Sequence, residues 1–413
     1  MHGYSIDATG TQWGVGQGGF FTQTVSFSEQ DDERLVMRFV YDCGTKSSFS
    51  ELTNAIKSYV AGLPDGSTVE AIYISHLDED HVNGLSFLAA ELNKRNVTVE
   101  RVVIPPVSDL EALRLVTSGA GTQEWEDFVI DPTKRLRDWF SEDQRIIYAN
   151  DPNRPIDYDP ATLADYPEDA DTFVRSIETG NGGVKVVVGG GSSAGRLPEI
   201  TLWEVVPFVQ PAVVRDEKRL NELVDGALES GIPLSWHFAA ELVLISVEQR
   251  KLVREIFAHW DAGDVNYASI ILYSGSARQA DTYDLESVPS VGTADAAVQK
   301  LVCATTRTAW LGTGDAKFSD SRKDLEGLDA FKLFYGGRLN RLLVVNAPHH
   351  GSAASSGDAF WRVTEPNFAV LNASGKHHGH PNAAVVALTK KYASTSLQTH
   401  DNGAAFTFHL TTR

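Results

Sequence analysis

The sequence predicts an α/β layered fold, and three observations carry the prediction. Short β-rich runs alternate with segments of helical spacing along much of the chain. Apolar residues make up 42% of the 413 positions and charged residues 22%, a globular balance with enough apolar surface for a large core. Several strand-like runs each stop abruptly in polar residues, histidine and aspartate among them.

The elements follow in order. Gly14 to Gly19 is a glycine-dense turn leading into the strand-like FFTQTVSF. RLVMRFVYDCG reads as a buried strand ending in Asp42 and Gly44, and apolar spacing predicts a helix over 49–61. AIYIS (71–75) is a continuous apolar strand that stops at His76; GLSFLAAELNKRN then reads as a helix and VERVVIP as the next strand. From 106 to 198 the chain turns polar, acidic and rich in turn residues, with helical pieces EWEDFVI and KRLRDWF, and is read as a helix-carrying insertion. Within it, the glycine-dense stretch 180–196 surrounds the short strand VKVVV. It lacks the Gly-Lys-Ser/Thr ending of a phosphate-binding loop and reads as a hairpin and turn. The core pattern resumes with EITLWEVVPFV, and a second helical insertion is expected over 210–262. YASIILYSG, AWLGTGDA, RLLVVNAPHHGS and NFAVLNAS are further strands with polar ends, and SLQTHDNGAAFTFHL is a final hairpin. Length allows two or three domains at about 150 residues each, but the pattern reads as one domain over 1–413.

Composition excludes several classes. Only Cys43 and Cys303 are present, too few for a disulfide framework or a cysteine-rich zinc site. No run of about 18 apolar residues occurs, and MHGYSIDATG has neither a basic nor an apolar leader region, so a cytoplasmic protein with no membrane association is expected. The net charge of −19 weighs against a large non-specific nucleic-acid surface. It leaves room for a nuclease whose affinity comes from divalent cations inside an acidic shell.

Of twelve histidines, seven fall in three clusters: His76 and His81; His349 and His350; His377, His378 and His380. In Ser75-His76-Leu77-Asp78-Glu79-Asp80-His81, several metal-capable side chains follow an apolar strand, where a loop can turn them toward one point. The plainer alternative is a solvated acidic loop with Asp80 as a helix N-cap. Asp315 in Leu311-Gly312-Thr313-Gly314-Asp315 is by itself compatible with an ordinary turn, yet a carboxylate can bridge two cations. In Asn346-Ala347-Pro348-His349-His350-Gly351-Ser352, adjacent histidines point different ways, so one is expected to ligate while the other contacts substrate or a ligand's partner. His380, fixed by Pro381, is a better functional candidate than His377 or His378. Ser352 and Asn372 are candidate phosphate contacts, with a turn role the stronger reading for both.

Taken in order, these pieces resemble the metallo-β-lactamase superfamily, and within it the soluble hydrolase domain of the ComEC/Rec2 competence proteins. Val15-Gly16-Gln17-Gly18 resembles the family's opening turn, with Gly19 where the family often has Asp. Tyr41-Asp42-Cys43-Gly44 resembles its strand-ending D-x-G, and His76-Leu77-Asp78-Glu79-Asp80-His81 its H-x-D-x-D-H. Asn266 and Ser269, Thr313-Gly314-Asp315, Pro348-His349-His350-Gly351-Ser352, His378-Gly379-His380-Pro381 and Asn402-Gly403 are similar to its later motifs. The resemblance implies a four-layer αββα metallo-β-lactamase sandwich with helical insertions. It implies one or two divalent ions (zinc or manganese) held by His76, Asp78, Asp80, His81, Asp315, His349 and His350, with Asp80, His350 and His380 as catalytic residues. The implied activity is metal-dependent phosphodiester hydrolysis of the nuclease type, on nucleic acid. Alternatives are hydrolysis of a cyclic nucleotide or other small phosphodiester, and a binding or regulatory module with a degraded site.

Three departures qualify the resemblance. The superfamily's third-motif histidine has no counterpart in EVVPFV, and His237 and His259 fall in the expected second insertion. Asp78 replaces an imidazole, giving an oxygen-rich position that suits a harder ion such as Mn²⁺. The membrane channel of the competence proteins has no counterpart, so DNA uptake is not carried over. The basic clusters Lys134-Arg135-Leu136-Arg137 and 338–341 could line a groove or simply be solvated surface, and the insertions could also bind a partner protein.

Overall fold

Strand alternation sets up the layering. In the strand Asp32–Thr45, Met37, Phe39 and Tyr41 point into one apolar cluster and Val40 into another. In Ile270–Ser276, Ile270 and Leu272 enter the same central cluster while Ile271 and Tyr273 enter a third. Both strands are therefore buried on two faces, which explains their continuous apolar runs. The computed structural model describes residues 4–29, 32–106, 112, 115, 121–149, 173–189, 191–192, 195–196, 200–210, 269–278, 281–289, 301–374, 379–399 and 405–412.

Nine strands form one sheet, in the order Leu301–Thr305, Tyr283–Pro289, Phe406–Thr412, Tyr4–Gln12, Gly18–Glu29, Asp32–Thr45, Ala71–Tyr73, Arg101–Ile104 and Arg145–Tyr148. Eight form the other, in the order Thr395–Thr399, Phe368–Asn372, Leu342–Asn346, Ala309–Gly312, Ile270–Ser276, Ile200–Val209, Gly183–Gly189 and Phe173–Thr179. Their inner faces pack together. Phe21 of the first sheet stacks on Trp310 of the second, with ring centroids 3.8 Å apart and planes within 2°, and the Tyr41 hydroxyl donates to the Ile270 carbonyl at 2.7 Å. Trp310 is fully buried, so Trp310→Ala would cost about 3–5 kcal/mol.

Helices cover both outer faces. Phe49–Ala61 buries Leu52, Ala55, Ile56, Tyr59 and Val60 at helical spacing; Ser48 caps its start by accepting from the Glu51 N–H, and the chain leaves at Gly62. Leu85–Lys94, Gln123–Ile130 and Pro132–Trp139 join it on the first sheet through Leu85, Leu88, Phe128 and Leu136. Arg322–Tyr335, Asp358–Thr364 and Ala383–Tyr392 cover the second sheet through Leu328, Phe331, Phe360, Trp361 and Val385. The result is a four-layer αββα sandwich, the architecture the sequence led us to expect.

The described residues of the first expected insertion, 106–198, include strands as well as helices. Its two helices, Gln123–Ile130 and Pro132–Trp139, are followed by Arg145–Tyr148, which adds an edge strand to the first sheet. The hairpin Phe173–Thr179/Gly183–Gly189, turning at Gly180–Gly182, extends the second sheet beside Ile200–Val209. Of the second expected insertion, 210–262, all but Gln210 lies outside the described residues, as do His237, His259, Asn266, His377, His378, Asn402 and Gly403.

Candidate metal centre

Parallel strands bring the candidate residues to one rim. Ala71–Tyr73 runs parallel to Asp32–Thr45 and to Arg101–Ile104, so Asp42 and His76 leave their strands on the same side. Across the sandwich, Ala309–Gly312, Leu342–Asn346 and Phe368–Asn372 are mutually parallel, so Asp315, the His349/His350 pair and Asn372 also share one end. The backbone N–H of Ile270 donates to the Ser75 carbonyl at 2.8 Å and the N–H of His349 to the Gly314 carbonyl at 3.0 Å, fixing the loops against each other. Open α/β sheets commonly place their chemistry at such strand ends.

Close backbone approach is needed at two glycines. A Cβ at Gly44 would lie 2.5 Å from the Asp80 carbonyl carbon and 2.6 Å from the His81 nitrogen, so only glycine lets the histidine–aspartate loop seat on the end of Asp32–Thr45. Gly314 adopts φ +49°, and its Cβ would meet Ser75 at 2.5 Å.

Two overlapping groups of potential ligands result: His76, His81 and Asp315; and Asp80, His81 and His350. Within each, the donor atoms lie within 4.8 Å of one another and all three residues are buried. His81 Nε2 is 3.3 Å from Asp315 Oδ1, His76 Nε2 is 3.6 Å from Asp315 Oδ2, and His350 Nε2 is 3.3 Å from Asp80 Oδ2 and 3.5 Å from Asp315 Oδ1. The Nε2 atoms of His76, His81 and His350 and Oδ1 of Asp315 are buried without a hydrogen bond of sound geometry. Orphaned buried polar atoms are costly, and these four, shared between the two groups, fit one or two divalent cations.

The partners of the far ring nitrogens set the tautomers. His350 Nδ1 faces the Asn372 carbonyl at 3.0 Å, an acceptor only, so Nδ1 carries the proton. His81 Nδ1 faces Asp42 Oδ2 at 2.8 Å and must likewise donate. The Ser75 hydroxyl gives its proton to Asp42 Oδ2 at 2.8 Å and so accepts from His76 Nδ1 at 3.0 Å. When these rings are neutral, all three Nε2 lone pairs therefore point inward, the arrangement that metal-ligating histidines use.

Electrostatics agree. Burial opposes ionisation of Asp315, but His349, His350, His76 and His81 hold its carboxyl well below the usual range. Burial likewise acts against the Asp80 carboxylate, while His350, His81 and Lys46 overcome it and drive its pKa far down. His81 is pulled the other way: burial lowers its pKa, yet Asp42 and Asp315 raise it well above the imidazole value, so a cation bound there would displace that proton. Burial lowers the pKa of His349.

The remaining predicted residues surround this core. Asp78 is 27% exposed, with Oδ2 3.7 Å from His76 Nε2, at the outer edge of the two groups. It occupies the N-cap position of the short helix Glu79–Val82 without a side-chain capping bond; Asp80 lies inside that helix and is not its cap. His349 and His350 both have positive φ (48° and 55°), and their rings stand 80° apart. His349 Nε2 reaches Asp315 Oδ2 at 3.3 Å, the oxygen that His76 also faces. His380, half-buried, lies beyond it, with ring centroids 5.6 Å apart. Ser352 accepts from the Ala354 N–H at 3.3 Å, a turn contact. Asn372 is buried, and its Oδ1 receives the Thr399 hydroxyl.

Three functional neighbours escaped the sequence reading. Asp42 and Ser75 orient His81 and His76; the strand-ending Asp-x-Gly was the sequence signal for Asp42. Lys46 had no such signal. Its Nζ sits 2.8 Å from Asp80 Oδ1, and its side chain is 35% exposed while Asp80 is buried. Burial works against its charge, but Asp80 and then Asp78 push its pKa up to about 12.

No family model matches this sequence, and no curated protein does. Among solved structures, the chain is similar to a long-form RNase Z from yeast, with 11% identity and a TM-score of 0.37 over 97% of this chain and 41% of that one. It is also similar to the metallo-β-lactamase fold protein YhfI from Bacillus subtilis, with 9% identity and a TM-score of 0.36 over 96% and 98%. A B3 metallo-β-lactamase with an active-site glutamic acid matches at 10% identity and a TM-score of 0.17, over 60% and 88%. The chain thus spans less than half of the RNase Z, and likenesses this distant leave the functional reading to the site itself. Among the described residues, no helix is long and apolar enough to cross a membrane.

Proposed function

We propose that this chain is a metal-dependent phosphodiester hydrolase of the nuclease type, similar in its site to the soluble hydrolase domain of the ComEC/Rec2 proteins. The observation that carries the reading is the gathering of three inward Nε2 lone pairs with Asp80 and Asp315 in two overlapping buried groups that share His81. His76, Asp80, His81, Asp315 and His350 would hold one or two ions, with Asp78 and His349 at the margin. A divalent ion supplies positive charge against phosphoryl oxygens and a nucleophile competent near neutral pH.

The chain's own groups do the rest. Asp42 and Ser75 hold the His81 and His76 rings in orientation. Asp80 stays ionised across the physiological range and orients the attacking group. Lys46, at the solvent side of Asp80, neutralises a non-bridging phosphate oxygen. His380, beyond His349, is the proton donor to the leaving oxygen.

The test is metal analysis of the purified chain, followed by hydrolysis of bis(p-nitrophenyl) phosphate and single-stranded DNA with Mn²⁺, Zn²⁺ or chelator. Turnover should need metal and fall at least a hundredfold in Asp80→Ala; turnover insensitive to chelator, or none with any ion, sinks the proposal. A second reading, a small phosphodiester such as a cyclic nucleotide, is favoured by the −19 charge. Steep loss of affinity with salt identifies the polymer as substrate, and a shallow slope the small ligand.

A further inference from the structure

A cleft of about 270 Å³ opens directly behind the histidine–aspartate loop. Phe49, Trp125 and Trp139 supply its aromatic surface, and Glu79 and Glu124 its charge. Phe49 opens the helix Phe49–Ala61 and is 48% exposed, a large apolar ring left in water where most of its kind are covered. Trp125 is held rigidly, its indole N–H donating to the Leu77 carbonyl at 2.7 Å. Trp139 stacks on Phe128 at 5.4 Å. Glu79 Oε1 receives the Thr122 N–H at 3.3 Å, which places that carboxylate at the cleft wall; a carboxylate has further acceptor capacity.

Two chain segments tie this cleft to the metal centre. Glu79 stands between Asp78 and Asp80 in sequence, so its neighbours face the ligand cluster while it faces the cleft. Phe49 follows Lys46 by three residues, at most about 11 Å of chain, and Lys46 contacts Asp80. The Asn83 side chain, also in the cleft wall, clamps the Thr45 backbone by bonds to its N–H at 3.0 Å and its carbonyl at 2.8 Å. The cleft and the centre are thus held in fixed relation.

Its chemistry selects an occupant. Two carboxylates repel a phosphate, aromatic rings favour a flat π-system, and carboxylates accept N–H donors. We propose that the cleft receives an unpaired nucleobase bearing an exocyclic amino group, stacked against Phe49 and donating to Glu79 or Glu124, while the adjoining phosphate lies at Lys46 and the metal centre. Stacking of splayed bases on aromatic side chains, with hydrogen bonds to their edges, is how single strands are commonly read. This inference rests on the phosphodiesterase reading for its orientation, but base binding can be measured without turnover.

The test is tryptophan fluorescence of the full chain in chelator, titrated with GMP, UMP and ribose 5-phosphate. GMP should change the emission saturably, with affinity at least fivefold above UMP and no response to ribose 5-phosphate. Phe49→Ala should weaken GMP binding about tenfold, and Phe49→Tyr, which keeps a ring, should retain it; the exposed position makes unfolding by either change unexpected. Glu79→Gln should narrow the GMP/UMP gap. Equal GMP affinity in wild type and Phe49→Ala, or equal response to ribose 5-phosphate, overturns the proposal. Metal-dependent turnover of bis(p-nitrophenyl) phosphate by the wild-type chain tests the hydrolase reading, while base binding in chelator needs no turnover, so loss of the cleft and loss of the hydrolase reading are separately visible.

Discussion

Replacing Asp42 by Asn isolates the electrostatic part of the centre from its backbone. Asn tolerates the left-handed φ of 57° at this position, so the strand end should keep its shape. The acceptor set changes, however. Asp42 Oδ1 receives the Ser75 N–H at 2.6 Å, and Oδ2 receives both the Ser75 hydroxyl and His81 Nδ1 at 2.8 Å. If the amide oxygen keeps the Ser75 N–H, the amide N–H₂ faces two donors. The cheapest relief moves the His81 proton to Nε2, where it donates to Asp315 Oδ1, now 3.3 Å away. That proton blocks the one ligand shared by both groups. Loss of a ligand's outer partner typically costs 10–100-fold in metal affinity, or about 1.4–2.8 kcal/mol at 1.4 kcal/mol per decade. Without metal, the lost charged hydrogen bonds should destabilise the fold by a further ~1.5–3 kcal/mol. Competition titration with a chromophoric chelator measures the first quantity and urea unfolding of the metal-free protein the second. Asp42→Asn binding Mn²⁺ or Zn²⁺ within threefold of wild type would refute the tautomer argument.

Three further outcomes are expected. Lys46→Gln should lower kcat/KM toward a phosphodiester by about 10–100-fold while its amide N–H₂ keeps a donor on the buried Asp80 carboxylate; kcat/KM within about threefold of wild type would remove Lys46 from the chemistry. Saturating metal at about a hundred times its Kd should add ~2.7 kcal/mol and raise Tm by several degrees, and an unchanged melting curve in chelator would argue against a bound ion. Glu70 gives a pH effect away from the centre. Burial raises its pKa from 4.5 to about 7, so the folded state favours the neutral acid; its contribution is complete below pH 4.5 and fades as pH rises through 7. Relative to wild type, Glu70→Gln should therefore become more stable between pH 5 and 8, by about 1–2 kcal/mol after allowance for its partial exposure, and parallel pH–stability curves for the two proteins would contradict this.

The centre was legible in the sequence to the extent that ligand types and strand ends are local properties. AIYIS followed by His76 and LLVVN followed by His349 and His350 announce both a buried strand and what stands at its end. What joins them was less visible. Lys46 reaches Asp80 only because Asp32–Thr45 and the Glu79–Val82 helix pack through Gly44, a contact that no periodicity records. The strand Gly183–Gly189 was legible as VKVVV, but its partner Phe173–Thr179 was obscured by flanking glycine and acid. Their burial comes from pairing with Ile200–Val209 and from Val184 and Val186 entering the central core, not from a strong local pattern. Asp42 was seen as the end of a buried strand; its three hydrogen bonds could be assigned only once Ser75 and His81 were near it in space.

The two ligand groups draw on both halves of the sandwich: His76, Asp80 and His81 leave the first sheet, and Asp315 and His350 leave the second. A cation seated among them would act as a rivet between halves that also meet through packed apolar faces, hydrogen bonds such as Tyr41 to Ile270, and the Arg145–Glu178 ion pair. Neither half alone offers the full set, so a chain that has formed only one sheet cannot load the ion. Metal uptake during refolding would therefore serve as a checkpoint, marking the moment at which the two sheets have closed on each other.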